Sequence, residues 1–181
     1  MFLTTLNIKL LTLVLFTGVG STVPYHRSSL AWEVLEGIPL LPRQDHTTVF
    51  VPPSTITILG GVIPSNSYFP PVYTTSWMHF YSVSNNSWSI RPNMPRGLNH
   101  ANAAVVGGKI YVLGGLAETS VGQRAWHSVA DSWVHEASTD SWGTLPGVLT
   151  GEERGADVGV YREEIYLAAG VSELEPFRSI I

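Results

Sequence analysis

The chain has 181 residues, 44 % of them hydrophobic and 13 % charged, with 17 Gly, 12 Pro, 6 Trp and no Cys. That is the composition of a folded, turn-rich domain, long enough for one sizeable core. A net charge of −4 without a basic cluster argues against nucleic acid as a partner, and the lack of Cys excludes disulfides, thiolate metal sites and cysteine nucleophiles.

The first element reads as a leader. One Lys in MFLTTLNIK is followed by the apolar run LLTLVLFTGVG (10–20) and then by polar STVPYHR. This is the pattern of a secretory signal peptide over residues 1–20, with Gly18 and Gly20 before a cut at Ser21 and a short linker over 21–31. The apolar run is about half of the roughly 20 residues that cross a bilayer, so a mature chain without a membrane span, secreted to the extracellular space, is expected. The competing reading is a buried first strand.

Trp32–Leu40 reads as a lone outer strand, after which the chain repeats. ITILGGV (56–62), IYVLGGL (110–116) and IYLAAGV (165–171) recur at steps of 54 and 55 residues. Trp88 and Trp142 keep the step of 54, and so do His46 and His100, each heading a strand-like run. A period near 50 means a repeat architecture. Within one period the residues predict four short strands. HANAAVV is innermost, KIYVLGG follows the turn at Gly107-Gly108, and SWMHFYSV (or DSWVHEA) comes third. The Asn-rich turn SNN then leads to the outer strand SWSI. The third unit supplies two strands, GADVGVY and EEIYLAAG, before SELEPFRSII.

A Gly doublet followed by a Tyr and a Trp resembles the kelch repeat: Gly60-Gly61, Tyr81 and Trp88, then Gly114-Gly115 and Trp142. The resemblance covers residues 32–171 and implies an all-β, kelch-type β-propeller of four-stranded antiparallel blades. About three blades are present where about six usually close the ring, so the propeller is incomplete. Residues 172–181 are a C-terminal tail or a truncated blade. RGLNHANAAV…KIYVLGGL is similar to secreted fungal kelch proteins often labelled galactose-oxidase-like. Two positions depart from the pattern: His135 stands where the second Tyr belongs, and Ala169 replaces a Gly of the third doublet. Open sheet edges imply self-association.

In such blades the second-to-third loops and the blade connections share one face, where binding residues concentrate. The loop 62–75 offers Tyr68, Phe69 and Tyr73, and the loop 116–128 offers Arg124, Trp126 and His127. The connections add Arg43, Gln44, Asp45 and His46, then Arg96, Asn99 and His100. Aromatics beside polar groups suit a carbohydrate or protein ligand. The alternative is structural: rings packed on their own loops, and Arg and His bonding neighbouring blades. The third unit has Arg154-Gly155-Ala156 where His46 and His100 would need a third ligand, so no metal is expected. Asn85-Asn86-Ser87 is a glycosylation signal on the opposite face, at Asn85.

A non-enzymatic binding module is therefore expected, with an inactive piece of a larger propeller as the alternative. An oxidase like galactose oxidase ranks third, because the Tyr–Cys bond of that copper–radical cofactor cannot form here. No cofactor is expected.

Overall fold

The computed structural model describes residues 4–6, 32–65, 72–118, 126–146 and 157–168, and these contain strands and turns but no helix. Two units divide the chain at Ile38. In the first, β1 (Thr4–Leu6) pairs antiparallel with β2 (Trp32–Val34), Leu6 opposite Trp32. Of the segment read as a leader and linker, only Thr4–Leu6 is described, as a paired strand, and residues 1–3 and 7–31 lie outside the described residues.

The second unit holds the repeat. β3 (Thr47–Val51), β4 (Thr55–Leu59), β7 (Met78–Ser82) and β8 (Ser87–Arg91) form the first four-stranded antiparallel sheet. Between β4 and β7 the loop begins as a hairpin of its own, β5 (Val62–Pro64) with β6 (Val72–Thr74). β9 (Ala103–Val106), β10 (Lys109–Glu118), β11 (Trp126–Glu136) and β12 (Ser141–Thr144) form the second sheet. β13 (Asp157–Tyr161) and β14 (Glu164–Ala168) form a third, two-stranded unit. Each blade is the meander that the repeat predicts, with β3 against β9 and β9 against β13 as innermost strands.

The apolar positions alternate because successive strand side chains point to opposite faces. One face of the first blade, with Val49, Val51, Leu59, Met78 and Phe80, packs on the facing side of the second, with Ile110, Val112, Trp133 and Trp142. The opposite side of the second blade repeats the scheme. Tyr111 and Leu113 meet Val158, Ile165 and Leu167 of the third unit.

One register detail corrects the sequence reading. The first hairpin turns through three residues, Pro52-Pro53-Ser54, and the second through two, Gly107 and Gly108, both with positive φ. Before that turn the blades are therefore offset by 55 residues, and after it by 54. Gln44 bridges Val62 as Asn99 bridges Leu116, and Asp45 (φ 55°) and His100 (φ 48°) follow in the same left-handed conformation. His100 is the counterpart of Asp45, and His46 that of Ala101. The two histidines share a spacing but not a position.

Candidate functional site

The site is built around the Gly doublets, where the chain leaves β4 or passes an irregularity within β10, beside the connection that enters the blade. A Cβ on Gly60 would collide with the Leu98 carbonyl oxygen, and one on Gly61 would lie 2.7 Å from the Gln44 carbonyl oxygen. On Gly115 it would lie 2.9 Å from Ala101 Cα, and Gly60, Gly61, Gly114 and Gly115 all have positive φ. Glycine is required on both counts at Gly60, Gly61 and Gly115, and by φ at Gly114. The close approach is held by backbone bonds: Gly61 N–H donates to Leu98 O, and His100 N–H donates to Asp45 O at 3.0 Å.

Thr74, at the end of the first loop hairpin, joins the loops of the two blades. Its N–H donates to Glu118 Oε1 (2.8 Å), and its Oγ1 accepts from Trp126 Nε1 (3.0 Å) and Asn99 Nδ2 (3.4 Å). Trp126 is thus the first residue of β11, half-buried and paired with Glu118, and not a loop residue as its polar surroundings suggest. His127 follows it with Nδ1 buried and unbonded. Arg96 reaches Asp131 at 2.8 Å, exposed on the surface. Tyr68, Phe69 and Arg124 lie outside the described residues.

Arg43 takes the structural alternative. It is 5 % exposed, donates from Nη1 to the carbonyls of Gly60 and Trp77, and lies over the Trp77 ring. Its Nη2 sits 2.7 Å from His79 Nδ1. A guanidinium has only donors, so His79 Nδ1 accepts and the ring is neutral. Burial, and then the Arg43 charge, push the His79 pKa down to about 4. Burial also lowers the pKa of Arg43 to about 10 and that of His46 below its ordinary range. In the second blade Leu98 and Trp133 hold the corresponding places, so the sequence offered no repeat signal for this pair.

The kelch landmarks are packing residues. The rings of Tyr81 and Trp88 are 4.9 Å apart across the strand pair, and those of His135 and Trp142 are 5.1 Å apart. Both Trp rings are half-buried. Trp142 Nε1 donates to Pro92 O, from the outer edge of one blade to the other. Asn85 is exposed in the turn between β7 and β8, away from the loop hairpins by the strand order.

At the mouth of the inner strands, Asp45 and His100 face each other with Oδ1 and Nε2 3.9 Å apart, and both are roughly half exposed. His100 Nδ1 is 2.8 Å from Asn99 Oδ1. The 54-residue step hid this pair by aligning His100 with His46. Reading the turn lengths would have found it. No group of three or more metal-ligating side chains occurs among the described residues.

No protein-family model matches the chain. It is 34 % identical over 167 residues to the Kelch-like protein terF of Aspergillus terreus, covering 88 % of this chain and 35 % of that protein. It is 29 % identical over 147 residues to an F-box/kelch-repeat protein of Arabidopsis thaliana, covering 75 % and 33 % respectively. The fold matches the solved structure of YjhT with a TM-score of 0.68 at 18 % identity, over 80 % of this chain and 49 % of that one. The chain therefore spans about a third of the curated relatives it matches and about half of the solved chain.

Proposed function

Because the chain belongs to the kelch-repeat propellers, we propose that it is a non-catalytic binding module whose loop-bearing face takes a protein partner. The observation that carries this reading is the Thr74 junction. A surface made of loops recognises a partner cheaply only if the loops are ordered beforehand. Three hydrogen bonds, one donated by Thr74 to Glu118 and two that it accepts from Trp126 and Asn99, tie the loops of adjacent blades to one another. Arg96, His100, Trp126 and His127 are carried on that fixed base.

In the same proposal the chain is secreted after a cut near Ser21 and carries a glycan at Asn85, on the face that leaves the loops free. Mass spectrometry of the material in the medium tests both points. Purified chain applied to peptide and glycan arrays tests the partner class. Ligands retained on the peptide array and weakened by Arg96→Ala support the reading. Retention on glycans alone replaces it with carbohydrate recognition, and retention on neither array removes it.

A further inference from the structure

We propose that Asp45 and His100 form a recognition point for a protonated amine or guanidinium, supplied by a Lys or Arg side chain of the protein partner. The proposal rests on the binding-module reading and names the chemistry at its centre. The two residues stand at equivalent positions of consecutive blades, just before the innermost strands, where a radial architecture brings its units closest.

The bonding around them decides what they offer. Trp126 Nε1 can only donate, and Asn99 donates from Nδ2, so both use Thr74 Oγ1 as acceptor. Asn99 Oδ1 then faces the His100 ring 2.8 Å away and accepts from Nδ1 in the tautomer that carries its hydrogen there. In the same tautomer Nε2 keeps its lone pair, and it lies 3.9 Å from the Asp45 carboxylate. The Asp45 carboxylate and His100 Nε2 are then two acceptors 3.9 Å apart. A group that only donates and carries positive charge satisfies both at once, and a primary ammonium or a guanidinium is such a group.

The surroundings agree with this polarity. Arg43, two residues before Asp45 in the chain, is turned inward to Gly60 O, Trp77 O and His79. The other described acid–base contacts, Arg91 with Asp140, Arg96 with Asp131, Lys109 with Glu136 and His135 with Asp140, lie elsewhere. The chain as a whole carries a net charge of −4. Left-handed backbone at a non-glycine residue persists only where the surroundings impose it. Here the His100 N–H to Asp45 O bond and the Asn99–Leu116 bridge do so, and the pair is held in place before any ligand arrives.

The test measures fluorescein-labelled octalysine binding to the full chain by anisotropy, with octaglutamate as the opposite charge. Asp45→Asn and His100→Asn are the variants, because Asn accepts the left-handed conformation and both should fold. Glu33→Gln removes one charge from an exposed strand as a control. Expected are binding of octalysine only, about tenfold weakening by Asp45→Asn, a smaller loss with His100→Asn, and no change with Glu33→Gln. Nitrogen NMR of the His100 ring should find the hydrogen on Nδ1. Equal weakening by Glu33→Gln, or a hydrogen on Nε2, overturns the site. Failure to bind octalysine while peptide-array ligands are still retained overturns it too, and leaves the binding-module reading in place.

Discussion

His135 Nε2 lies 3.1 Å from Asp140 Oδ1, in the place where one blade earlier Tyr81 Oη donates to Asn86 Oδ1 at 2.7 Å. The departure from the kelch pattern at His135 is therefore half of a paired exchange. Tyr with Asn in one blade becomes His with Asp in the next, and both turn residues, Asn86 and Asp140, have positive φ. The bond closes the turn between the third and fourth strands in each case. In the second blade it is also tied to the first, since Arg91 reaches Asp140 at 3.4 Å and Phe80 packs edge-on against the His135 ring.

Tyr81→Phe removes the hydroxyl and keeps the ring, so it isolates the bond. Tyr81 is 1 % exposed, and a buried bond of this kind contributes about 1 kcal/mol. Urea unfolding should show a loss of that size. An unchanged midpoint would mean that the turn is held by its backbone alone.

Acid should weaken the fold before the carboxylates protonate. His79 is neutral in the folded state with a pKa of about 4, below its ordinary value of 6.5. The stability it contributes is full above about pH 6.5. It is lost as the pH falls toward 4, because the unfolded chain takes up the proton first. The shift corresponds to on the order of 3 kcal/mol across that window. Burial lowers the pKa of His46 and His135 as well, so they act in the same direction. Urea midpoints at pH 7.5 and pH 5 check this, and His79→Gln, whose carbonyl still accepts from Arg43, should flatten the dependence. A wild-type midpoint that does not move would show that His79 is not held neutral.

Glycines that share a positive φ should differ in cost. Gly60→Ala meets both a left-handed backbone and the Leu98 carbonyl, whereas Gly108 has the same sign of φ and open space around it. The conformational part is about 1 kcal/mol for either. The collision adds to it at Gly60 alone, so Gly60→Ala should destabilise by well over twice as much. Equal losses would mean that the blade connection yields easily to a methyl group.

The blades were legible in the sequence because packing repeats them. Gly60-Gly61, Tyr81 and Trp88 return as Gly114-Gly115, His135 and Trp142, since each blade solves the same contact with its neighbour. Residues that break the repeat were harder to read. Arg43 and His79 replace an apolar pair, and nothing in a single copy says that a charged side chain will be buried. The Asp45–His100 pair was missed because a one-residue difference in turn length, Pro52-Pro53-Ser54 against Gly107-Gly108, changes the offset of everything before it. Trp126 looked like a loop residue because a polar stretch precedes it, yet β10 and β11 continue past the doublet as a long hairpin.

That placement changes what Trp126 should do when altered. A ring standing free for a ligand could be removed without cost to the fold, but its indole N–H is bonded to Thr74 Oγ1 and joins two blades. Two substitutions separate the parts. Trp126→Phe keeps an aromatic face and loses the bond, which should cost about 1 kcal/mol. Trp126→Ala loses the packing of a half-buried ring as well, for a total of about 2–3 kcal/mol. If the ring face also contacts the partner, array ligands should survive Trp126→Phe and be lost with Trp126→Ala. If Trp126 serves only to hold the hairpins, binding should decline in step with stability across the two variants. A thermal transition unmoved by Trp126→Ala would show that the Thr74 junction does not hold the loop face together.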